Sequence, residues 1–225
     1  MKRFIALAAF FLASCSGQKD FHHLTFSGTM EMTEHILGAK APGRVVKLDV
    51  KEGDLVKRGQ QLAVLDRFEQ AKKDYARLEV LYKNGGANQQ VLEYARLAME
   101  DQQVIAPLDG IVLVKAVETG EVIPAGAGVV VVGDPLEKWV RIFFPEGLMH
   151  YLSLNQKAVI HVDGTSKQYK GHISFLAAKA EFTPRNTQTS QERVTQTFAV
   201  KITVDDADAY LHAGVAADVK FTDRT

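Results

Sequence analysis

Two stretches of this chain, GRVVKLDVKEGDLVKRGQQLAVLD (43–66) and GIVLVKAVETGEVIPAGAGVVVVGD (110–134), are copies of one pattern. No other feature constrains the fold as much. Gly43 aligns with Gly110, Gly53 with Gly120 and Gly59 with Gly126, each 67 residues apart. Val56 and Ile123, Leu62 and Val129, and Leu65 and Val132 keep the same offset. Each copy is preceded by Ala-Pro, at Ala41-Pro42 and Ala106-Pro107. Both copies predict strand, tight turn (EGD or TGE), short strand, second turn (KRGQ or PAGA), strand. Gly53, Gly59, Gly120 and Gly126 fall at turn positions that need a positive φ. Val45/Lys47/Asp49 alternating with Val46/Leu48/Val50 predicts a half-buried strand. Two such halves bury a shared face only by packing on each other.

The segment between the copies, 67–103, has a different period. Phe68, Ala71, Tyr75, Leu78 and Leu81 recur at helical steps of three and four, as do Leu92, Ala95 and Met99. Gly85-Gly86 predicts the end of the first helix and Asn88 the N-cap of the second. Arms of about 16 residues span about 24 Å. Isolated helices of that length are marginal in water, so a mutual apolar seam must hold them.

The N-terminus starts with Lys2-Arg3, followed by an apolar run from Phe4 to Ala13 that is too short to span a bilayer. LASC (12–15) then precedes Ser16-Gly17. This resembles a bacterial lipobox, which implies cleavage before Cys15 and acylation of its sulfur. Several acyl chains on one residue give durable anchoring. Cys15 is the sole cysteine, so no intramolecular disulfide forms. The formal net charge of zero points to no nucleic-acid partner.

The paired glycine-punctuated halves each look like half of a biotinyl/lipoyl domain. With a helical hairpin between them, they resemble the HlyD-type membrane fusion proteins, periplasmic adaptor subunits of bacterial export pumps. The fold implied is mainly β with an α-helical hairpin, laid out as follows: signal peptide 1–15, linker 16–26, lipoyl-like halves 27–66 and 104–134, hairpin 67–103 and a β-barrel domain 135–225. Within the last, KWVRIFFPEGLMHYLSLNQKAVIHVDG (138–164) predicts strands around a helical turn near 146–152. In this family, adaptors that dock onto an outer-membrane channel carry the tip pattern RLxxLxxxxxxS. Arg77, Leu78 and Leu81 fall at its first three fixed places, and Asn88 stands at the serine place. The stretch 180–202, through Thr183, Pro184, Thr187, Thr189 and Arg193, resembles adaptors of ABC-type exporters.

The resemblance implies an inner-membrane transporter at the barrel, an outer-membrane channel at the tip, and a ring of copies, commonly a hexamer. It also implies a periplasmic location on the inner membrane. No GxSxG, Walker, HExxH or CxxC motif is present, so no catalytic residue, cofactor or resident metal is expected. Two alternatives are a structural periplasmic lipoprotein without pump function and a metal-efflux adaptor. The second rests on His22, His23, Met30, Met32 and His35, whose thioethers and imidazoles suit Cu(I). A lysine-modified carrier would use Lys72, Lys73 or Lys83, none of which lies in a tight turn between the halves.

Overall fold

The computed structural model describes residues 24–182, 196–208 and 211–222. The lipobox with Cys15, the histidines His22 and His23, and Thr183 to Arg193 lie outside the described residues. The elements in chain order are β1 (Thr25–Gly38), β2 (Gly43–Leu48), β3 (Leu55–Val56), β4 (Gln61–Leu65), α1 (Phe68–Lys83), α2 (Gln89–Glu100), β5 (Gln103–Ile105), β6 (Gly110–Lys115), β7 (Val122–Ile123) and β8 (Gly128–Pro145). A 3₁₀ turn (Glu146–Tyr151) follows, and then β9 (Lys157–Val162), β10 (Gln168–Leu176), β11 (Glu181–Phe182), β12 (Gln196–Val204) and β13 (Ala216–Phe221).

The duplication is visible bond by bond in the first domain. Strand β3 of the first half pairs with β6 of the second (Leu55↔Ile111), while β7 of the second half pairs with β2 of the first (Arg44↔Val122). The Gly53 amide donates to the Val112 carbonyl at 2.8 Å, and its repeat mate Gly120 donates to Val45 at 2.7 Å. The Gly59 amide likewise reaches Ala106, and Gly126 reaches Ala39. Each turn is therefore pinned to the backbone of the other half, so neither half closes alone. The four glycines sit at φ +90°, +84°, +100° and +86° in chain order, where a side chain is strained. The shared core consists of repeat mates: Val45 with Val112, Val50 with Val117, Leu62 with Val129 and Leu65 with Val132, all buried.

The simple alternation expected for residues 45–50 is corrected. Val45 and Val50 are both buried, which strict period two forbids. A bulge between Val45 and Lys47 inserts the extra residue and turns the later side chains over. The second half repeats it between Val112 and Val114.

The second domain is a closed six-stranded antiparallel barrel in the order β1-β8-β12-β10-β9-β13, with β13 returning to β1. Inward alternation of Val140/Ile142/Phe144 on β8 and Val200/Ile202/Val204 on β12 fills it. The Phe144 ring packs 4.3 Å from Phe26 and edge-on to Phe221 at 5.9 Å. A boundary at residue 135 for this domain is corrected, because residues 25–32 of β1 are one of its staves, paired to β13 and to β8. β1 and β8 run unbroken through both domains. Their register slips between Met32 and Glu34, where the pair passes from barrel to sandwich.

Candidate functional site

The helical hairpin leaves the sandwich between β4 and β5 and ends in a built turn. At the end of α1, Gly85 adopts φ +75°. Its amide donates to Tyr82 O at 3.0 Å, and the Gly86 amide donates to Leu81 O at 2.8 Å. This pair of bonds is a Schellman motif, which satisfies the carbonyls that the helix end would otherwise orphan. Three residues later Asn88, in an extended conformation, caps α2: its side-chain oxygen accepts the Val91 amide at 2.9 Å. The turn between Lys83 and Gln89 is thus closed from both sides by its own sequence.

α1 has 16 residues and α2 has 12, about 24 Å and 18 Å long. The return arm is shorter than its sequence period implied, because Asp101 and Gln102 already turn into β5. Neither helix contains a buried residue. The seam side chains Tyr75, Leu78, Leu92, Ala95 and Met99 are only half-buried.

Arg77, Leu78 and Leu81 lie on the last two turns of α1. Arg77 is 72% exposed, with its guanidinium 3.7 Å from Asp74. Leu81, one turn nearer the tip, is 43% exposed. Leu78 is a seam residue, and Asn88 is committed to the cap. The structure therefore presents Arg77 and Leu81 outward on one arm, while Leu78 and Asn88 hold the arms and the turn. On α2 the Arg96 guanidinium bonds Glu93 and Glu100. The bond from Arg96 holds the Glu93 carboxyl below the usual carboxylate range and raises the guanidinium's own pKa.

Sequence reading missed a second apolar stripe on α2, where Val91, Tyr94 and Leu97 are exposed, Tyr94 by 63%. Their spacing of three was legible beside Leu92, Ala95 and Met99 and marks a helix with two apolar faces. Met30, considered for metal binding, is wholly buried in the barrel core. Among the described residues no cluster of three or more His, Cys, Asp or Glu side chains could hold a metal ion. Among them also, no helix is long and apolar enough to cross a membrane.

Residues 36–133, comprising both repeat halves and the hairpin between them, match the family model for the barrel-sandwich hybrid domain of the RND membrane fusion proteins. Over these residues the chain is similar to that domain. Solved structures share the wider fold at low identity. A MacA-MexA chimera containing the Pseudomonas aeruginosa MexA α-hairpin domain superposes with a TM-score of 0.63 at 18% identity, covering 88% of this chain and 80% of that one. The membrane fusion protein Spr0693 of Streptococcus pneumoniae R6 gives 0.57 at 19% identity, covering 90% and 100%. The periplasmic adaptor protein EmrA gives 0.51 at 14%, covering 88% and 96%. These likenesses show a shared fold over most of the chain.

Proposed function

We propose that this chain is a membrane fusion protein, a periplasmic adaptor that joins an inner-membrane transporter to an outer-membrane channel for export of small molecules. Lipid on Cys15 holds it at the periplasmic face of the inner membrane. The barrel faces the transporter, which is of the ABC type on the resemblance of residues 180–202. Copies assemble side by side into a ring, a hexamer in the family's common form. The hairpin tip meets the channel through Arg77 and Leu81, with Leu78 and Asn88 holding the arms and the turn that present them.

The observation that carries this reading is the hairpin. It is capped on both sides of its turn, yet no side chain in either helix is buried. A helix pair so poorly buried gains little from its own packing, and its apolar and cationic groups remain available to partner helices. Co-purification tests the reading. A tagged wild-type chain is expected to recover a transporter and an outer-membrane channel protein from membranes. Arg77→Asp is expected to retain the transporter and lose the channel. Equal recovery of the channel by both forms would remove the tip from the mechanism.

A further inference from the structure

The barrel keeps its exposed apolar side chains at one end. β1 enters the barrel at Thr25 and leaves it for the sandwich past Met32. At the entry end β8 finishes opposite β12 (Pro145↔Thr197), β10 finishes (Leu176↔Val200) and β9 begins beside β13 (Ala158↔Phe221). Leu24, Phe143, Leu154 and Phe175 are exposed there, by 41%, 42%, 59% and 47%. The Asn155 amide donates to Ile173 O at 2.8 Å, which sets Leu154 beside the Phe175 end of β10. The four side chains thus form a rim over β1, β8, β10 and the entry to β9. Among the described barrel residues Leu136 is the one other large apolar side chain so exposed, and it lies at the junction with the sandwich. Single exposed apolar residues are ordinary, but a set gathered at one end marks an interaction surface.

The backbone is arranged to make this rim. Ile142 and Phe144 point into the barrel core, so Phe143 between them points out. On β10, alternation from the buried Ile173 would return Phe175 to the core. A bulge between Ile173 and Phe175 turns it out instead, opposite Lys201, which stands between the inward Val200 and Ile202. Folding alone favours the other placement, because an exposed aromatic ring forfeits its burial. Charge at this end selects no anionic or cationic partner. Lys157, Lys179 and Lys220 stand there with Glu146, Glu181 and Asp218, so the described rim is close to neutral.

The distance to the acylated cysteine says what the rim can meet. Nine residues, 16–24, separate Cys15 from β1, and nine residues reach at most about 30 Å. Lipid on Cys15 therefore keeps the entry end of the barrel within that distance of the bilayer. We propose that the rim seats in the lipid surface itself, with Leu24, Phe143, Leu154 and Phe175 entering the boundary between headgroups and acyl chains. Apolar groups on a near-neutral rim are held there by burial, to a depth of about 5–10 Å, and not by attraction to anionic lipid. The acyl chains retain the protein, but one point of attachment does not orient it. The rim fixes the barrel end against the bilayer and points the hairpin away from it. This deepens the anchoring part of the proposed function and rests on that reading for the lipid on Cys15.

A seat in lipid is separable from a lipid anchor. A fluorescent amino acid is placed at Gln196, exposed at the start of β12 on the rim, or at Asn84 on the hairpin turn. The full-length chain is reconstituted in protein-free vesicles of zwitterionic phosphatidylcholine that contain a spin-labelled lipid. Quenching is expected at Gln196 and not at Asn84, and high salt should leave it unchanged. Phe143→Ser with Phe175→Ser should reduce it to the level of the Asn84 probe, while the chain still floats with the vesicles on its acyl chains. Thermal melts matching wild type confirm folding, and Leu24→Ser with Leu154→Ser is the substitute pair if the first pair melts early. The proposal is overturned if the wild-type rim is unquenched, if the serine variants are quenched like wild type, or if salt abolishes the quenching. A rim that is shielded only when a transporter is added would likewise overturn it and assign the surface to a protein partner. Incorporation of labelled fatty acid at Cys15 is read separately. Incorporation without quenching overturns the rim alone, and quenching without incorporation overturns the anchor alone.

Discussion

At the residue scale, the turn glycines and the tip cap set what a substitution does. Valine at Gly53 or Gly120 would be a β-branched residue at φ +90° or +100° and would cost about 1–3 kcal/mol. A Cβ at either position meets no atom within 4 Å, so the cost is conformational and not steric. Urea unfolding should register Gly53→Val and Gly120→Val alike, because the mates make equivalent bonds across the sandwich. Unchanged stability of either would contradict the assigned turns. Asn88→Ala removes the acceptor of the Val91 amide and should cost about 1 kcal/mol of helix stability. Amide hydrogen exchange would then quicken over the first turn of α2 while the barrel amides stay protected. Phe144→Ala, in the centre of the barrel core, should cost about 3–5 kcal/mol and leave the sandwich turns unaffected.

At the element scale, the hairpin and the bulged strands divide what could be read from what could not. Leu81→Asp places a charge on an exposed tip residue and should weaken channel recovery while leaving the β domains folded by circular dichroism. Unfolding of the whole chain would show that this residue is structural. The hairpin was legible because helical spacing, paired glycines and a capping asparagine are all local signals. The duplicated halves were legible because glycine and aliphatic mates keep one offset. The slip of register at Val45 and Lys47 was not, because a bulge is set by the partner strand and leaves no mark in strict alternation. The sixth stave of the barrel was not legible either. Phe26 and Met30 find their neighbours on β8 and β13, more than a hundred residues away. The roles of Leu78 and Asn88 separate from that of Arg77 only once their burial and bonds are known.

At the scale of the whole molecule, two domains share two continuous strands, and the hairpin projects from the domain that the barrel does not close. Lipid at Cys15 would place the barrel toward the membrane, with the hairpin at the far end. Cys15→Ser should abolish incorporation of labelled fatty acid and release the chain from membranes on gentle extraction. Label persisting in that variant would refute the lipid anchor. The central claim is that the tip meets an outer-membrane channel, and in-cell photo-crosslinking tests it most directly. The probe belongs at Asn84, which is exposed at the turn and leaves the cap at Asn88 intact. Mass spectrometry of the adducts should identify a helical outer-membrane channel protein. Adducts only to neighbouring copies or to the transporter would contradict the claim.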